Sequence, residues 1–203
     1  NIFVTVAGSA RFSQNFQETA QSDATNMYPA FLVLIIVLSY LLLRSVLASL
    51  LSLIIIFLSI LPSMGSAGWL EYQVLPPLII APIVILTIAL AHAIHILSIA
   101  LSNMNEGMQK DVAIIESMKI NFMPVFLTSF TTGVGVAGVN FGNIPAFSEM
   151  ANAVVFGSLY SFLLSITVLP VLFMIMPIKS SKKNNLILPA LHALGNLIFK
   201  FKY

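Results

Sequence analysis

The chain has 203 residues, 59% of them hydrophobic and only 8% charged, and its mean hydropathy is +1.00. Soluble globular domains carry about a quarter charged residues, so a soluble fold is excluded. A net charge of +2 gives no footprint for nucleic acid, and the absence of cysteine excludes disulfides, thiolate metal sites and a cysteine nucleophile.

In chain order, residues 2–6 alternate apolar and β-branched side chains like a short strand, Gly8-Ser9 punctuates them, and 11–23 read as a polar helix leading to Tyr28-Pro29. Residues 1–26 are therefore predicted to end an extracytoplasmic α+β domain. Five stretches then lack Asp, Glu, Lys and Arg: 24–43, 45–70, 72–105, 120–148 and 150–178. Each is long enough to cross a hydrocarbon layer of about 30 Å as a helix of roughly 20 residues. The expected fold is an all-α membrane domain of five transmembrane helices over residues 27–178.

Arg44 leaves almost no loop between spans one and two, which predicts a tight helical hairpin. In span two, Ser52, Ser59, Ser63 and Ser66 share a face, and the reading here is close helix packing. Pro76-Pro77 and Pro82 predict a broken or tilted start to span three. Residues 102–119 place Met108, Val112, Ile115 and Met118 at helical spacing opposite Gln109, Lys110, Asp111 and Glu116, which predicts a helix along the membrane surface. In span four, Gly138 and Gly142 form a GxxxG and Gly133 with Ala137 a small-xxx-small pair, so these four positions are candidates for close helix packing. Span five covers about 151–176. Residues 179–203 read as a basic amphipathic cytoplasmic linker, with Leu188, Leu191, Leu194 and Ile198 on one side.

Threading the five spans in alternation places eight of the nine basic residues on one face, with Arg11 alone on the other. The positive-inside rule makes that face cytoplasmic and the segment before span one exterior. The chain opens on Asn1 and shows no signal peptide, so an upstream part with at least one more span is expected.

His92 and His95 in span three are the only strongly titratable side chains well inside any span, and an ionisable group at membrane depth is a functional candidate by default. At about 1.5 Å per residue from Ser102, His92 lies roughly 15 Å from the inner end and His95 roughly 10 Å. Both are candidates for a proton relay, because an imidazole changes charge in the neutral range. Thr128, Ser129 and Thr132 on span four, with Thr131 beside them, are candidate relay partners if they face His92, or helix glue if they do not. No Cys, Asp or Glu lies in any span to complete a His-x-x-His metal site, so neither metal nor cofactor is expected. An intramembrane enzyme would need a nucleophile and an oriented base. Ser98 lies three residues from His95, but no acidic orienter accompanies it.

The order of these motifs resembles the resistance-nodulation-division (RND) superfamily, specifically its MMPL-type and Patched-like exporters, whose five-helix unit is also called a sterol-sensing domain. Arg44-Ser45 is similar to that family's hairpin, Gly68-Trp69-Leu70 to its exterior turn, and Ala91-His92-Ala93-Ile94-His95-Ile96-Leu97 to its fourth-helix Ala-Asp-Ala-Val-His pattern. Thr128-Ser129-Phe130-Thr131-Thr132-Gly133, then Ile144-Pro145 and Leu169-Pro170, resemble its fifth and sixth helices. The resemblance covers nearly the whole chain. It implies helices two to six of one half of a secondary-active transporter in a plasma or inner membrane, moving a hydrophobic or lipid-like substrate on the proton gradient. A second half of the same chain is the implied partner, a further copy is another candidate, and the bilayer surrounds both. The alternative is a sterol-sensing-domain-like lipid-sensing or scaffold module without transport. His92 stands where many members carry an acidic residue, which reverses the charge logic: the group is neutral when empty and positive when loaded.

Overall fold

The computed structural model describes residues 9–142 and 144–178. These residues form five helices: α1 (Ser9–Leu43), α2 (Val46–Trp69), α3 (Pro76–Asn105), α4 (Lys110–Ala137) and α5 (Pro145–Ile175), with a 3-10 turn at Gly138–Phe141. Each contains a segment long and apolar enough to cross a membrane. Among the described residues the fold is all-α, and the chain is a multi-pass membrane protein. The strand expected at 2–6 and the amphipathic segment expected at 186–203 lie outside the described residues.

Turn chemistry sets the hairpins. Between α1 and α2 only two residues intervene: Arg44 adopts φ 48°, and Ser45 caps α2 by accepting the Ala48 N–H at 3.4 Å. A left-handed non-glycine backbone costs about 1–2 kcal/mol, a cost that the packing of the two helices around Leu43 and Ala48, both buried, must offset. The polar 11–23 segment and span one form one continuous helix, α1, that passes through Pro29. Span three does not break at its prolines. Pro76 and Pro77 fill the first turn of α3, where amide donors have no helical acceptor in any case. Pro82 lies deeper, and the Tyr28 hydroxyl donates to the carbonyl of Ile79, three residues before it, so a neighbouring helix serves the stretch where proline disturbs the ladder.

The expected surface helix over 102–119 is replaced by a different arrangement. Helix α3 continues to Asn105, a turn follows with Gly107 at φ 95°, and α4 starts at Lys110 and runs without interruption into span four. Its buried residues explain this. Ala113, Ile114, Ser117, Asn121, Val125 and Ser129 form one stripe that turns toward the bundle along the entire helix, so the first turns of α4 pack inward instead of lying flat. The Ser117 hydroxyl donates to the Ile96 carbonyl at 2.6 Å, and Asn121 Nδ2 donates to the Ser117 carbonyl at 2.9 Å.

Helix α3 is central and packs against all four others, most extensively against α5. At the Arg44/Lys110 end the core is built from Leu51, Ile55, Ile96, Leu97, Val125 and Phe173. A smaller cluster of Ala67, Leu78, Ala81, Ala153 and Val154 fills the Glu71/Glu149 end. Without water to drive association between helices in lipid, small side chains and hydrogen bonds carry the packing. The serine face of α2 follows that rule. Ser39 and Ser52 hydroxyls meet at 2.6 Å, Ser59 and Ser66 bond back to their own helix, and Ser63 donates across to the Ala153 carbonyl of α5 at 2.7 Å.

Both ends are tied. Lys110 Nζ donates to the Met174 carbonyl at 2.9 Å and to that of Met176, and sits 5.5 Å from the centre of the Phe173 ring, so a cation closes the carbonyl end of α5. At the opposite end the Gln73 N–H donates to Glu149 Oε2 at 3.0 Å.

Candidate functional site

His92 is drawn into the bundle by its position on the most covered helix, and only 1% of its surface remains exposed. Its two ring nitrogens meet hydroxyls from two different helices. Nδ1 lies 2.8 Å from Ser161 Oγ on α5, and Nε2 lies 3.2 Å from Ser129 Oγ on α4. Ser158 Oγ donates to the Ser129 carbonyl at 3.2 Å, which ties α5 to the α4 backbone beside the ring. Three helices therefore converge on one imidazole.

The chemistry of this cluster follows from its donors and acceptors. A neutral imidazole donates at one nitrogen and accepts at the other, whereas an imidazolium donates at both. Serine hydroxyls donate or accept by rotating, so Ser129 and Ser161 can satisfy either charge state without moving the helices. A serine at Nε2 of an imidazole is also the start of an acyl-transfer triad, but Ser161 occupies Nδ1, where that chemistry places a carboxylate. Among the described residues no group of three His, Cys, Asp or Glu side chains is placed to hold a metal ion.

The remaining candidates are placed differently. His95 is exposed on the outer surface of α3, and its carbonyl accepts from Ser98 Oγ at 3.2 Å. Three residues along a helix amount to about 60° of rotation. On α3 that separates the buried face from an uncovered one. Thr128 is exposed and bonds back to the Pro124 carbonyl at 2.7 Å, Thr131 bonds back to Leu127 at 2.8 Å, and Thr132 is half-buried. Gly133, Ala137, Gly138 and Gly142 lie on α4 and the turn after it. A Cβ built on Gly133 or Gly138 meets nothing within 4 Å, so within this chain both adjoin open space.

Ser158 and Ser161 complete the site, and sequence reasoning did not assign them to it. Their signal was present: with Ser165 they recur at three- and four-residue spacing in the mostly apolar part of α5, the pattern already noted on α2. All three are buried. Beside the site, α4 and α5 enclose an open groove of about 350 Å³ whose walls include Phe126, Phe130, Gly133, Leu159 and Phe162. Ser129 also lines it, so one hydroxyl borders both the apolar groove and the imidazole.

A model of the MMPL family matches residues 1–185. The chain belongs to the MMPL family, a family of RND-like exporters and not of enzymes. No curated protein matches it.

Proposed function

We propose that this chain is one half of a secondary-active exporter that moves a hydrophobic or lipid-like substrate, with His92 carrying the coupling proton. The observation behind this reading is Ser129, which hydrogen-bonds His92 on one side and lines the apolar α4/α5 groove on the other. A substrate in the groove changes the surroundings of Ser129, and the charge on His92 changes which way that hydroxyl points. A proton crossing the membrane field brings about 2.3 kcal/mol per 100 mV. Such energy enters transport only through a group that feels both proton and substrate.

The rest of the reading follows the charge pattern. Arg44, Lys110 and Lys119 mark a cytoplasmic face, residues 1–26 end an extracytoplasmic domain, and 179–203 link to a second half. Gly133 and Ala137 border the groove, while the exposed Gly138 and Gly142 beyond them suit close approach of a helix from that second half or from another copy. His95 is exposed at membrane depth on α3.

Proton-driven uptake of a fluorescent lipid analogue into vesicles tests the proposal. His92→Gln keeps a hydrogen-bonding amide but cannot titrate, and it is expected to abolish uptake while Ser98→Ala spares it. Full uptake by His92→Gln removes the histidine from the mechanism. A lipid-sensing or scaffold role without transport is the second reading. The satisfied geometry of His92 favours it, since an imidazole held between two hydroxyls is stable without any proton traffic.

A further inference from the structure

We infer that Gly157 is the positioning residue of the His92 site, the point of close approach that lets α5 deliver Ser161 to the imidazole. The inference rests on the functional reading of His92 given above, and it adds a residue that neither motif nor titratable chemistry would single out. Gly157 is buried on α5, four residues before Ser161, and faces Ile85 on α3, seven residues before His92. One and two helical turns respectively separate this contact from the hydrogen bond, along the same pair of packed faces.

The approach is closer than any side chain permits. A Cβ added to Gly157 would lie 2.3 Å from Ile85 Cγ1, 2.6 Å from its Cδ1 and 2.9 Å from its Cγ2. Ordinary carbon contacts lie near 3.5 Å, so an alanine there demands a retreat of about 1 Å. Ile85 is 0% exposed, and a β-branched side chain in a helix is confined to one χ1 rotamer, so it cannot swing clear. The helices themselves must part. The Ser161 Oγ to His92 Nδ1 distance of 2.8 Å has no room for that, because roughly 1 Å more takes it beyond hydrogen-bonding range. The other described glycines differ. Gly65, Gly68, Gly133, Gly135 and Gly138 all adjoin open space, and Gly142 meets only a carbonyl of its own turn. Among the described glycines, close approach to another helix is found at Gly157, one turn before Ser161.

The test uses the full-length protein in lipid bilayers with isotope-labelled histidine, in which nuclear magnetic resonance reports the hydrogen bonding of each ring nitrogen. The His92 signals are assigned by their loss in His92→Gln. Ser161→Ala provides the reference shift of Nδ1 when its partner is gone. Gly157→Ala is expected to move Nδ1 toward that reference and to abolish proton-driven uptake. Adding Ile85→Ala removes all three overlapping carbons and is expected to restore both signals. If Gly157→Ala leaves Nδ1 in place while Ser161→Ala moves it, the inference is overturned. Should the single variant fail to fold, the double variant decides: recovery of folding and of the Nδ1 position supports the inference, and continued failure overturns it. A normal uptake rate in His92→Gln, together with a displaced Nδ1 in Gly157→Ala, would defeat the relay reading and leave the positioning role standing.

Discussion

Helices α3 and α4 are both apolar enough to span a membrane, yet half of the spanning segment of α3 is buried in the bundle against 11% of that of α4. Helix α3 is also the more apolar of the two, but that does not set which of its sides are covered. What differs is the arrangement of small and polar residues around each axis. Around α3, Ala81, Ala89, Ala93 and Ala100 are fully covered, so neighbours approach from several directions. On α4 a single stripe faces inward, while Phe122, Phe126, Leu127, Phe130 and Val134 face out. The contrast shows that hydropathy places a helix in the membrane but does not place it within a bundle, because lipid tails are as apolar as a leucine-lined neighbour.

The widest gap between the two helices is expected under overpacking. Ala93→Leu on α3 should destabilise the bundle by about 2–3 kcal/mol, since the added carbons have no space to enter. Gly135→Leu on α4, at a position where even a Cβ meets nothing within 4 Å, should stay within about 0.5 kcal/mol. Unfolding in bicelles, followed through helicity, measures both, and equal losses would dissolve the distinction. A smaller effect is expected among the hydroxyls. Ser161→Ala strands a ring nitrogen of a buried histidine and should cost about 1–2 kcal/mol, whereas Thr128→Ala removes only a bond to its own helix and should cost a few tenths.

The ends of the bundle sharpen the picture at lower magnitude. Lys110→Met removes the cation from the carbonyl end of α5 and should cost about 0.5–1 kcal/mol, with a loss that shrinks as salt screens the wild-type contact. Ser63→Ala deletes one interhelical hydrogen bond, for which about 0.6 kcal/mol is typical within membranes. An effect from Ser63→Ala as large as that of Ala93→Leu would mean that polar contacts, not close packing, hold α2 and α5 together.

Much of the architecture was legible in the chain. The spans were visible because charge is costly in hydrocarbon, and the Arg44 hairpin because nothing remained for a loop. The amphipathic 102–119 stretch misled, since its alternation of apolar and charged residues describes equally a helix lying on a surface and the first turns of one leaning against α3. The site was half legible. His92 and Ser129 were marked by residue type and depth, but Ser158 and Ser161 passed as ordinary serines, and His92 could not be told from His95 by spacing alone.

What the sequence by itself determined is the set of segments that cross the membrane, because transfer of a side chain into hydrocarbon is a local property that sums along the chain. Only the tertiary structure decided which way each helix turns about its own axis. That rotation is set where backbones meet, as at Gly157 against Ile85, and it places one histidine between two hydroxyls while leaving the other facing outward.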